Sequence, residues 1–254
     1  MKKLRITKFR PKFLHIIVFT ILCFCLIPFL SLFAGKKIRD FCFREISYQI
    51  LFDKATAGYE GDSAKSIQLY KFVNENVSVP NENFNAKDDN PFDIIIDGVG
   101  YCDQQANILI TLACVGGIKG NLVFLYGFDS VSHHSVCELK INGKYRMFDP
   151  FYKLFFLTKS HNMAGINDIQ KGNLMCLTDI SSMPKNYFRL FEAKYPNRIF
   201  ISNNFSFSKK VFRKILRTWH LVFSNFSLKP YIHAYFIFDN SNELKKKRIK
   251  KLLY

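Results

Sequence analysis

The chain has 254 residues, 48% of them hydrophobic, enough for one domain with a sizeable core and too apolar for a disordered chain. Its formal charge of +17 suggests nucleic acid until the charge is located: six bases lie in residues 1–12, five in 209–217 and six in 245–251, and the remaining 20 Lys and Arg balance all 20 acids. A nearly neutral middle excludes a basic nucleic-acid groove there and leaves the basic runs to be explained separately.

Residues 13–35, FLHIIVFTILCFCLIPFLSLFAG, hold no Asp, Glu, Lys or Arg. About 20 such residues in a helix cross the ~30 Å hydrocarbon layer, so the run predicts one transmembrane helix behind a basic N-terminal segment of residues 1–12. A cleaved signal peptide is the competing reading, but the run is longer than the usual apolar region and ends in no clean small-x-small site. Six bases before the span, against Lys36, Lys37, Arg39 and Arg44 after it, place the N-terminus inside and the domain on the extracytoplasmic side. Of seven cysteines, Cys23 and Cys25 lie in the span, leaving Cys42, Cys102, Cys114, Cys137 and Cys176. There is no CxxC spacing, and an odd number leaves at least one thiol free.

Residues 36–62 read as an amphipathic lead-in. Ile67, Leu69, Tyr70 and Val73 then fall near helical spacing, which predicts a helix over 63–77 with Ser63 as its N-cap. Residues 78–93 are dense in Asn, Asp and Pro and read as a long loop. From Cys102, the positions Ala106, Leu109, Ile110 and Ala113 mark one face of a helix that Gly116-Gly117 ends. Residues 121–128 read as a short apolar strand, and 134–149 as a hairpin around Asn142-Gly143.

Residues 159–254 form a C-terminal extension in which PKNYFRLFEAKY predicts a helix. Residues 208–224 predict a basic amphipathic helix, with Val211, Phe212, Ile215, Leu216, Trp219 and Val222 on one face and Lys209, Lys210, Arg213, Lys214 and Arg217 largely off it. Packing of that helix on the domain is favoured over a position on lipid. The tail ELKKKRIKKLLY reads either as a basic segment that docks on anionic headgroups or as a solvated, frayed end.

The chemistry concentrates at three residues. Cys102 lies at the first turn of its helix, where unpaired N–H groups and the positive dipole end stabilise a thiolate. Counting outward from the two-residue turn, residue 141 faces 144 and Val136 faces Asp149. Alternation then puts His134 on the face of Asp149, with Cβ atoms roughly 7 Å apart, and turns His133 away. Asp149 would orient His134 as the base that activates the thiol. A zinc site from His133, His134 and Cys137 is disfavoured, because alternation sends His134 to the opposite face from the other two.

Gly100-Tyr101-Cys102 at a helix start, Gly116-Gly117 behind it, His134-Ser135-Val136-Cys137-Glu138 on a strand and Phe148-Asp149-Pro150 after it occur in an order that resembles the transglutaminase-like, papain-like Cys-His-Asp superfamily. The resemblance covers about residues 63 to 157 and defines a catalytic core of 63–158. It implies an α+β fold in which the cysteine helix packs on an antiparallel sheet, here behind one transmembrane helix. It also implies acyl transfer or hydrolysis on a protein or peptide amide, with no cofactor or metal. The backbone N–H of Cys102 would be the first oxyanion donor. Val136 stands where the family commonly has an aromatic residue, usually Trp, and Trp219 lies outside the motif, so a side-chain oxyanion donor is unassigned. The family also contains peptidases and members without activity, and a catalytically silent interaction domain at the membrane is the reading from another class.

Overall fold

The computed structural model describes residues 31–33, 35–81, 90–126, 131–175, 183–192, 197–199, 207–222, 229–238 and 243–254. Most of the expected membrane span 13–35 therefore lies outside the described residues. Among the described residues no helix is long and apolar enough to cross a membrane. The end of the expected span that is described, Ser31–Phe33, is a 3-10 turn that buries Ser31 and Leu32, and Ser31 Oγ shares a 3.2 Å hydrogen bond with the Tyr231 hydroxyl. These residues pack on protein.

Among the described residues four α-helices precede the sheet: α1 (Lys36–Thr56), α2 (Gly61–Asn76), α3 (Pro91–Asp97) and α4 (Cys102–Val115). The expected lead-in is thus largely α1, whose Ile46 and Leu51 are fully buried in the main core. α2 begins two residues before the expected Ser63 cap, after Glu60 in extended conformation. The expected loop over 78–93 contains the start of α3. Asn90 accepts a 3.1 Å hydrogen bond from the Phe92 N–H, and Pro91 occupies the first helical position, where its missing N–H costs nothing. Asn and Pro mark a helix start here.

The sheet is antiparallel, in the order β3-β2-β1-β4, with β1 (Gly120–Tyr126), β2 (Ser132–Ile141), β3 (Lys144–Phe148) and β4 (Asn197–Ile199). Asn142 and Gly143 both have positive φ, 50° and 80°, the conformation a two-residue type I′ hairpin requires. The pairing is the one counted from that turn: Ile141 faces Lys144 and Cys137 faces Phe148. Alternation then builds two cores. Leu122, Cys137, Leu139 and Phe148 face the helices, whereas Val123, Leu125, Val136 and Met147 face Phe156, Ile166 and the 3-10 turn Tyr187–Phe191. That turn occupies part of the stretch expected to be helical from Pro184 to Tyr195. The short helix α5 (Ile166–Gln170) closes the second core.

The C-terminal extension supplies α6 (Phe207–Val222), α7 (Lys229–Phe238) and α8 (Glu243–Leu253). α6 packs on α1 through Leu216 and through Phe212, whose ring centroid lies 5.5 Å from that of Phe41. Arg213, expected off the apolar face, is instead buried and paired with Glu45 of α1, itself 3% exposed. A buried cation next to a buried carboxylate offsets the charge of each, which helical periodicity alone does not foresee. The side chains of Trp219 and His220 lie outside the described residues. The basic tail is a helix that buries Ile249 and Leu253 in the main core.

Candidate active site

The path into Cys102 is built from the end of α2 and the segment after α3. Ser78 N–H donates to the Gly98 carbonyl at 2.8 Å and Gly100 N–H to the Ser78 carbonyl at 3.1 Å, while Gln105, 1% exposed, donates its amide to the Gly100 carbonyl at 2.8 Å. Gln104 Oε1 accepts the Tyr101 N–H at 2.9 Å, which caps the start of α4. Ala106, Leu109, Ile110 and Ala113 are fully buried, so the helix is fixed along its length and its first residue is fixed in space. Cys102 is half-buried and a free thiol. At the first helical position its own N–H has no carbonyl four residues back within the helix, the property an oxyanion donor needs.

His134 and Asp149 meet across β2 and the end of β3. His134 Nε2 lies 2.6 Å from Asp149 Oδ2, with His134 3% and Asp149 0% exposed. The carboxylate has two further donors. The Tyr187 hydroxyl reaches Oδ2 at 2.6 Å, and the Tyr152 N–H reaches Oδ1 at 3.1 Å. Three donors on one buried carboxylate keep it in place. The ring of Tyr152 packs 4.8 Å from that of His134, and those of Phe151 and Tyr187 lie at 5.9 and 6.2 Å. The imidazole is therefore walled by aromatic rings.

Burial pulls the His134 pKa down, but the hydrogen bond to Asp149, the hydrogen bond to Cys102 and the charges of both residues outweigh it and push it up to about 9. His134 thus stands between thiol and carboxylate, as an imidazolium at neutral pH. With Nε2 on Asp149, Nδ1 is the ring nitrogen left for sulfur. Burial, then the charge of Asp149, pushes the Tyr187 phenol well above its ordinary value, so it stays protonated and donates. The Tyr152 phenol is raised by burial, then by Asp149 and by Cys102, which places it within electrostatic reach of the sulfur.

All three residues expected from the sequence, Cys102, His134 and Asp149, come together. His133 is exposed, on the opposite face. Cys137 is fully buried, its thiol raised by burial and donating to the Phe148 carbonyl at 3.5 Å, and it points away from His134. Among the described residues no group of His, Cys, Asp and Glu is placed to hold a metal ion. Sequence reasoning missed Tyr187 and Tyr152. The first sits in a stretch without a recognisable motif, 38 residues beyond Asp149. The second stands three residues after Asp149, in a turn whose closure the Asp149–Leu154 bridge fixes.

Residues 37–150 match the sequence model of the Transglutaminase-like superfamily. The matched segment, less than half of the chain, runs from α1 to the residue after Asp149 and has an α+β arrangement around an antiparallel sheet. A solved structure of a candidate cysteine protease from Cytophaga hutchinsonii is 19% identical over 55% of this chain and 44% of its own, with a TM-score of 0.38. A candidate protease from Parabacteroides distasonis is 12% identical over 50% of this chain and 26% of its own, with a TM-score of 0.34. The chain thus spans less than half the length of either structure. No curated protein matches it.

Proposed function

We propose that this chain is a membrane-anchored cysteine enzyme that transfers or hydrolyses an acyl group taken from a protein or peptide amide. The observation that carries the reading is the placement of His134 between a half-buried Cys102 and a carboxylate held by three donors. The Cys102 sulfur would attack the amide carbonyl while the Cys102 N–H takes up the developing oxyanion charge. The C–N bond would then break as the His134 imidazolium gives its proton to the departing amine, leaving a thioester. A second amine, or water, would give its proton to His134 and displace the sulfur, restoring the starting state. Anchoring and an extracytoplasmic position rest on the apolar run 13–35 and the distribution of bases around it.

The test is alkylation of the full chain by iodoacetamide at neutral pH, followed residue by residue. Cys102 should react much faster than Cys114 or Cys137, and His134→Ala should slow it. Slow and uniform labelling would leave a catalytically silent domain. Trials of peptide amides with and without an added primary amine separate transfer from peptidase or amidase hydrolysis.

A further inference from the structure

Some cations among the described residues are paired with acids. Arg213 faces Glu45, Lys245 lies 2.7 Å from Asp93 and Arg146 lies 3.7 Å from Asp168. Lys54, Lys71, Lys247, Arg248 and Lys251 instead line one groove of about 880 Å³ between the C-terminal half of α1, α2 and α8, and among the described residues none of the five is in an ion pair. Glu75 is the single acid of that lining. Five like charges around one cavity repel one another, an arrangement that costs stability unless an anion enters.

The groove is also built. Lys54 Nζ donates to the Leu252 carbonyl at 3.1 Å and joins α1 to α8 at one end. At the other, the Arg248 guanidinium lies where a Cβ on Gly98 would fall, so α8 is seated against the C-cap of α3. Between them the floor is apolar, made by Ala55, Phe72, Leu252 and Leu244, the last 75% exposed. Ammonium and guanidinium groups above an aliphatic and aromatic floor match a ligand with an anionic phosphate and an apolar root. The volume lies in the range of small-ligand sites.

We propose that this groove binds the headgroup of an acidic phospholipid, with the cations on the phosphate and the first carbons of the acyl chains on the floor. The apolar floor and exposed Leu244 favour a lipid over a soluble phosphate, and a chain whose residues 13–35 read as a membrane span would hold the groove beside such lipids. The tail helix then has two jobs, packing into the core through Ile249 and Leu253 and presenting Lys247, Arg248 and Lys251 outward. The assignment does not depend on chemistry at Cys102.

The test titrates the full chain in a neutral detergent with dihexanoylphosphatidylglycerol by calorimetry. Parallel titrations use dihexanoylphosphatidylcholine, glycerol 3-phosphate and hexaglutamate. Saturable binding of the phosphatidylglycerol is expected, and each neutralised lysine should weaken it about fivefold. The triple variant Lys71→Gln, Lys247→Gln, Lys251→Gln should therefore lose on the order of a hundredfold. A variant losing the same charge in the N-terminal segment, Lys2→Gln, Lys3→Gln, Lys8→Gln, should bind as the parent does. Equal binding of phosphatidylcholine, or equal loss in the N-terminal variant, would overturn the site. Equal binding of glycerol 3-phosphate would make the ligand a soluble phosphate, and equal binding of hexaglutamate an acidic peptide, and either would overturn the lipid assignment.

Discussion

Asp149→Asn isolates what the carboxylate does for His134. The imidazole is held at about 9 although burial pulls it below the ordinary 6.5, so its partners supply more than that difference, and Asp149 contributes before Cys102 does. With a neutral amide in place of the charge, less opposes the effect of burial and the His134 pKa should fall by about two, a loss of about 3 kcal/mol of preference for the imidazolium. The shape of the site is kept, because Asn can still accept from the Tyr152 N–H. The assay is the pH dependence of the His134 ring carbon resonance in histidine-labelled protein, assigned by its disappearance in His134→Ala. The same variant should lower amide turnover by about 10² to 10⁴, the range general acid–base catalysis spans. A His134 that still titrates near 9 in Asp149→Asn would refute the claim that this carboxylate sustains the imidazolium.

The adjacent histidines give the simplest contrast: His134→Ala should abolish turnover of any substrate found and His133→Ala should leave it nearly intact, as read by kcat/KM. Because the folded His134 pKa lies above the unfolded 6.5, its contribution to stability is complete below about pH 6.5 and is lost as pH rises through about 9. Urea unfolding at pH 6 and pH 10 should show that loss in the parent and a smaller one in His134→Gln. Tyr187→Phe deletes one donor to Asp149 and should cost about 1 kcal/mol in thermal unfolding, with a smaller kinetic effect than Asp149→Asn. Glu45→Ala leaves Arg213 as an unpaired buried charge and should cost about 3–5 kcal/mol, with α6 becoming more accessible to protease.

What could be read from the sequence was whatever local chemistry dictates. The start of α4 at Cys102, its buried face and its stop at Gly116-Gly117 follow from periodicity and glycine, and the hairpin follows from Asn142-Gly143. The meeting of His134 with Asp149 needed only the pleat and the turn length. Elements set by distant partners were harder to see. Tyr187 reaches Asp149 only because the second core folds a 3-10 turn back over the sheet, and no spacing encodes that. Arg213 looked like a solvent-facing base because its partner, Glu45, lies 168 residues earlier. The tail helix hid its packing because just two of its residues, Ile249 and Leu253, are buried, amid six bases. Asn90-Pro91 was misread because one pair of residues suits both a loop and a helix entry.

The two-residue turn at Asn142-Gly143 stands roughly 26 Å along the strand from His134, at about 3.3 Å per residue, yet it decides which of two neighbouring histidines lies beside the carboxylate. A single-residue insertion or deletion there, with β3 held in place, would slide β2 by one position and exchange its faces. His134 would swing outward and His133 would take the inner face. Loop length, a property normally free to drift on a protein surface, is here a control on the identity of the base, so a homologue with a three-residue turn should carry its histidine one place out of step.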